Sequence, residues 1–282
     1  MRNVMLAVLM TAMVAAAQIP TNGLLSQYMF TGGSLLDGST SARNLTQGSI
    51  GATLTADRDL WPNNAYLFER QNSGYYYGAD EGLPIGSSDR TVSFWISLQT
   101  KGDTVQQVLA WGVPRSFRDT SNGFRIVFRR DTLCVQQHGV RYAKTRVTNA
   151  QFPANGDWNA PWTHVALVIE GRQANWYING TLHASVAFSE LATTVSVNSF
   201  LIIGDAAWRP LSGKLDEILI YNRALTPTEV HGIYDPQVSV VRQADKVTRT
   251  TQTAECFYSL DGRILKNARV QYPIITIRQL SR

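Results

Sequence analysis

Residues Gly213–Tyr234 constrain the fold more than any other stretch. Leu215, Ile218, Leu219, Ile220 and Tyr221 fill both faces of an extended segment, interrupted only by Asp216 and Glu217. Apolar residues on both faces mark a strand covered on two sides. The pattern then changes. Thr226 precedes Pro227, and Glu229 follows the threonine by three residues. That is a capping box with proline at the first helical position, where its missing N–H is not needed. Val230, Ile233 and Tyr234 give the short helix one apolar stripe. A strand that runs straight into a single capped helix closes a layered structure.

The rest of the chain supplies the layers. Residues 90–98 alternate, with Val92, Phe94 and Ile96 on one face and Ser93, Trp95 and Ser97 on the other. Residues 123–130 alternate in the same way. Strand patterns also cover residues 23–30, 65–69, 74–78, 107–111, 132–137, 141–147, 162–169, 173–178, 182–188 and 199–204. Asn179-Gly180 between two apolar runs is a two-residue hairpin signal, because both residues tolerate positive φ. About a dozen short strands without strand–helix alternation predict an all-β, two-sheet antiparallel jelly-roll sandwich with one short helix.

Residues 1–17 lie outside that pattern. Arg2, the apolar run Val4–Val14 and the small residues Ala15–Ala17 read as a signal peptide, with Gln18 as the mature start. No other stretch approaches a membrane span. The expectation is an exported protein, periplasmic, at the cell surface or secreted. From Gln18 to Gln237 there are 17 Lys and Arg against 18 Asp and Glu; from Val238 onward there are 8 against 3. The main domain has no basic excess, so nucleic acid is not an expected partner. Residues 238–254 read as a linker and 255–282 as a short β tail. Cys134 and Cys256 are the two cysteines; an oxidising compartment permits a disulfide, and two separate buried thiols fit equally well.

From Gly23 to Pro236 the pieces resemble, in order, the concanavalin A-like, laminin-G-like jelly-roll domains of secreted bacterial proteins. Gly23–Phe30 is similar to the opening strand and Val92–Ile96 to a central one. Trp162–Ala166 with Trp176–Gly180 is similar to the hairpin, and Gly213–Ile218 with Tyr221–Leu225 to the closing strand and helix. The resemblance implies binding of glycans or proteins. It also implies one structural calcium where the first long loop meets the closing strand. Asp37, Asn44 and Asp216 are the candidate ligands, since calcium takes hard oxygens. A local Asx turn at Asp37 is the competing reading. The tail, with Leu260-Asp261-Gly262-Arg263 between two strand patterns, resembles a type IX secretion sorting segment; a plain β-hairpin is the alternative.

Enzymes of this superfamily carry Glu-x-Asp-x-x-Glu on one strand, and the chain has none. Asp216 and Glu217 are adjacent, so a regular strand sends them to opposite faces. His164 has no Ser or Cys elbow beside it and reads as structural. Trp61, Trp158 and Trp208 sit in loops, where an aromatic ring stacks on a sugar or pins its own loop. Tyr76, in the run Tyr75–Tyr77, and Arg115 complete the candidate ligand contacts. The reading is an exported, non-catalytic module that binds a glycan or surface polysaccharide. A protein-interaction or adhesion domain is the first alternative, and a glycan-active hydrolase or lyase with an unfamiliar site the second. Aromatic rings with amides and Arg on an open sheet face would favour glycan.

Overall fold

The computed structural model describes residues 19–235 except 72–73, 103, 115–121, 138–139, 149, 151, 154–155, 157–159, 190, 192, 197 and 206–208; in the tail it describes 257–258 and 264–265. The chain divides into two units, Met1–Val238 and Ser239–Arg282.

The first unit is the predicted sandwich. Its strands are β1 Leu24–Tyr28, β2 Thr46–Gln47, β3 Thr53–Thr55, β4 Ala65–Phe68, β5 Tyr75–Gly78, β6 Arg90–Leu98, β7 Gln106–Pro114, β8 Phe124–Arg129, β9 Thr132–Gln137 and β10 Val140–Arg146. They continue with β11 Thr163–Glu170, β12 Gln173–Ile178, β13 Thr181–Ala187, β14 Ser199–Gly204 and β15 Gly213–Tyr221; helix α1 is Pro227–Tyr234. One sheet runs β13-β12-β11-β6-β15-β4-β3, with β1 also paired to β15. The other runs β10-β9-β8-β7-β14-β5-β2. Every pairing is antiparallel.

The core lies between the sheets. The first sheet contributes Val92, Phe94, Ile96, Val165, Leu167, Trp176, Leu215, Ile218 and Ile220; the second contributes Trp111, Phe124, Ile126, Phe128, Val135, Leu201 and Ile203. Each such side chain contributes about 1.5–3 kcal/mol by leaving water. Strand β15 is central, flanked by β6 on one side and by β4 and β1 on the other. That position explains its two apolar faces. Leu219 and Tyr221 face outward, where α1 covers them with Val230 and Ile233.

The capping box forms as read. Thr226 Oγ1 accepts from the Glu229 N–H, and the Glu229 carboxylate accepts from the Thr226 N–H at 2.8 Å. Arg223 grips the same carboxylate at 2.6 and 2.9 Å. This pairing, with the capping bonds, holds the Glu229 carboxyl down at about 2 despite some desolvation. In the tail unit, β16 Phe257–Tyr258 pairs antiparallel with β17 Ile264–Leu265. Residues 1–17 and most of the linker and tail lie outside the described residues, as does Cys256; Cys134 is buried, with no disulfide partner among the described residues.

Candidate functional site

The face of the second sheet turned away from the core is assembled by register. Across β8, β9 and β10, Arg125 pairs with Gln136 and Gln136 with Arg141; Val127 pairs with Cys134; Arg129 pairs with Thr132 and Thr132 with Arg146. Paired positions point to one side, so these residues share a face. Ala143, at φ 47, marks an irregularity between Tyr142 and Thr145 that leaves Lys144 exposed. Arg209 Nε donates to Gln136 Oε1 at 3.1 Å, and the guanidinium lies 3.8 Å from Asp205. Gln107 Nε2 donates to the Gly204 carbonyl.

Toward β7, β14 and β5 the same face turns apolar. Tyr75, Ala110, Val113 and Ile202 form a buried patch, with the half-buried Tyr77 and Phe200 packed against it. The Tyr77 and Phe200 rings meet edge to face at 5.7 Å. Toward β10 the face opens into a cavity of about 250 Å³ lined by Arg129, Arg130, Arg141, Lys144, Arg146 and Asp131. The Cys134 thiol also lines it; burial pushes that thiol up to about 11, although Arg141 and Lys144 pull the other way.

Beside β6, β11 and β15 the outer face of the first sheet is covered, whereas on β13 it is exposed at Leu182. Ser93 Oγ and His164 Nε2 are 2.8 Å apart, both fully buried. The Trp95 ring lies 5.3 Å from His164, and Tyr234 of α1 lies 5.7 Å from Trp95 and 5.8 Å from His164. Arg58 reaches in from the loop between β3 and β4. Its guanidinium lies 4.5 Å over the Trp95 ring and pairs with Glu217 at 2.8 Å. Asp216 and Glu217 depart here from the sequence expectation. A bulge between Asp216 and Leu219 puts Glu217 at φ 48. The extra residue lets Glu217 join Asp216, which is paired with Trp95, on the outer face. Neither is placed for two-carboxylate hydrolysis. Asp216 is fully buried and accepts the Glu217 N–H at 2.8 Å, while Glu217 is committed to Arg58.

The candidate residues fall at separate places. Trp61 is 62% exposed beside Leu60, which is 83% exposed at φ 66. Asp57 holds that loop, accepting from the N–H groups of Asp59 and Trp61 and from Asn64 Nδ2. Tyr76 is corrected: it is 1% exposed in the core and its hydroxyl donates to the Ala52 carbonyl. Strand alternation put Tyr75 and Tyr77 outward instead, and Tyr77 is the ring that reaches the surface. Trp158, Trp208 and Arg115 lie outside the described residues.

Asp37 and Asn44 do come together, as a loop staple. Asp37 Oδ1 accepts from the Gln27 and Ser39 N–H groups and Oδ2 from Arg43 N–H; Asn44 Oδ1 accepts from Asp37 N–H. Three donors leave that carboxylate little to offer a cation, and Asp216 is spent inside the sheet. Among the described residues no group of three or more His, Cys, Asp or Glu is placed to hold a metal.

The basic lining of the cavity escaped the sequence reading because charge was averaged over the whole domain. Arg125 to Arg146 holds six cations against one carboxylate. Strand pairing then concentrates them on one face.

The profile of the concanavalin A-like lectin/glucanases superfamily (Laminin_G_3) matches residues 70–231. This is more than half of the chain, and the chain belongs to that family. Curated proteins give no significant match. Among solved structures, domain 4 of AbnA, an extracellular GH43 arabinanase from Geobacillus stearothermophilus in complex with arabinotriose, is 20% identical; the TM-score is 0.52 over 75% of this chain and 98% of that one. The binding domain of Paraclostridial Mosquitocidal Protein 1 is 18% identical, with a TM-score of 0.57 over 76% of this chain and 52% of that one. The botulinum neurotoxin serotype D ligand binding domain in complex with N-acetylneuraminic acid is 13% identical, with a TM-score of 0.55 over 78% and 52%. The chain thus spans about half the length of these toxin domains. At such identities the likeness establishes the fold.

Proposed function

We propose that the chain is an exported, non-catalytic module that binds a glycan on the outer face of its second sheet. The observation that carries this reading is the composition of that face. The half-buried Tyr77–Phe200 ring pair and the cavity with the exposed Lys144 and Arg146 share one side of one sheet, with the buried Gln107, Gln136 and Arg125 holding the face between them. Rings stack on the apolar face of a sugar while exposed lysine and arginine side chains at a cavity meet its oxygens. The arabinanase domain bound to arabinotriose and the toxin domain bound to N-acetylneuraminic acid share the fold and support the reading.

A glycan array probed with the mature chain tests it. Binding to at least one oligosaccharide class is expected, with Tyr77→Ala about tenfold weaker, equivalent to about 1.4 kcal/mol. No binding at millimolar sugar would overturn the reading.

One observation favours a protein contact as the second reading. Leu60 and Trp61 stand side by side in solvent on a loop fixed by Asp57. Export rests on the sequence of residues 1–17. N-terminal sequencing of protein recovered from outside the cytoplasm is expected to start at Gln18, and an intact Met1 would refute it. A sorting role for the tail rests on its sequence resemblance alone.

A further inference from the structure

We infer that the glycan is acidic, and that the cavity between β8, β9 and β10 receives a carboxylate or sulfate group of it. This rests on the glycan-binding reading and names the ligand class for that face.

The first argument is charge. Arg129, Arg130, Arg141, Lys144 and Arg146 line one cavity with a single carboxylate, Asp131. The pair Asp131–Arg146 is 4.0 Å apart and exposed on both sides, so it neutralises little. Arg141 Nε is buried and meets no acceptor among the described residues. A buried donor without an acceptor is unfavourable, and an anionic oxygen that reaches it relieves that cost. The domain as a whole carries no positive excess, so gathering its cations here is a local feature.

The second argument is size and lining. At about 250 Å³ the cavity falls below the roughly 300–1,000 Å³ of drug-sized ligand sites. It suits one sugar ring or one anionic substituent. Asp131 and Thr132 supply an acceptor and a hydroxyl for sugar hydroxyls, and Thr132 Oγ1 already donates to Asp131 at 3.3 Å. A phosphate backbone has no use for that carboxylate. A nucleic-acid surface would also extend as a basic stripe, whereas this face becomes apolar toward β7, β14 and β5. An acidic polysaccharide fits both ends: anionic groups at β8–β10 and a stacked ring at Tyr77 and Phe200.

The test titrates the mature chain with polygalacturonate, a sulfated galactan and a sialylated oligosaccharide. Arabinan and unsulfated galactan are the neutral controls, with double-stranded DNA and phosphatidylglycerol vesicles alongside. An acidic glycan is expected to bind at least tenfold tighter than its neutral counterpart and to weaken as salt rises. Lys144→Glu, at an exposed position, and Arg141→Gln are each expected to cut that affinity at least tenfold, with the melting temperature reported beside it. Neutral glycans bound equally well and unaffected by Lys144→Glu would overturn the acidic assignment and leave the glycan reading standing. DNA or vesicles bound more tightly than any acidic glycan would overturn the assignment too. Failure of every glycan would remove both.

Discussion

Arg90→Met is expected to destabilise the sandwich by about 3–5 kcal/mol, at the upper end of single substitutions. Arg90 opens β6 and is fully buried. Its guanidinium donates to four carbonyls: Nε to Ser88, Nη1 to Pro84, and Nη2 to Ile85 and Gly86, at 2.6–3.2 Å. It also lies 5.2 Å over Phe124 and 5.7 Å over Trp111. Trp111 Nε1 donates to the Pro84 carbonyl as well, so one cation and one indole close the loop 84–88 onto the core. Burial pulls the guanidinium down to about 10, which leaves it charged at neutral pH. Methionine keeps much of the apolar stem and removes every donor. The Ser88 and Gly86 carbonyls then lose that donor outright, while Pro84 keeps Trp111 Nε1 and Ile85 keeps the Ser88 N–H, so the loop must open to water or bury acceptors unsatisfied. A domain of this size loses roughly 2–4 °C per kcal/mol, so the melting temperature should fall by about 10 °C. Arg90→Lys should recover only part of this, since one ammonium cannot span four carbonyls in the guanidinium's plane. A loss below about 1 kcal/mol for Arg90→Met would show that the carbonyl cage is not what fixes the loop.

Most of the sandwich was legible because its strands alternate. Val92, Phe94 and Ile96 against Ser93, Trp95 and Ser97 is a pattern only a two-faced strand produces, and β6 has those faces. The capping box at Thr226–Glu229 fixed the helix start in the same local way. The short strands β2 and β3 were invisible, since two or three residues carry no periodicity. The site was much less legible. Tyr76 points into the core while its neighbours point out, and a run of three tyrosines does not say which parity faces water. Asp216 and Glu217 share a face through a bulge that no local signal announced. Arg129 and Arg146 belong to strands whose pairing, through Thr132, brings them to one level. Sequence order separates them by a turn and another strand.

Acid should expose the cost of a second buried polar group, His164. Its ring is fully buried, with Ser93 Oγ at Nε2 and no partner at Nδ1 among the described residues. Trp95 and Tyr234 pack beside it, and Arg58, paired with Glu217, caps the group next to Asp216. Protonation would put an N–H on both ring nitrogens with at most one acceptor between them. Burial, and then the Arg58 charge, lower the ring to about 3 from an ordinary value near 6.5. Between those values the unfolded chain binds a proton that the folded chain refuses, so stability rises with pH. The contribution is fully present above pH 6.5 and is lost as pH falls toward 3, at up to about 1.4 kcal/mol per pH unit. Glu229 acts in the same sense but only below about 4.5. Urea unfolding at pH 7 and pH 5 separates the two. The wild-type chain is expected to lose about 2 kcal/mol between them, and His164→Gln to lose much less over that step, whatever its own stability. Equal losses would mean that the ring takes up its proton inside the fold. Ser93 Oγ and the His164 ring are both fully buried, so neither meets a sugar at the surface of this fold. The Ser93–His164 contact is part of the buried packing beside Trp95 and Tyr234, and the proposed ligand face lies on the other sheet.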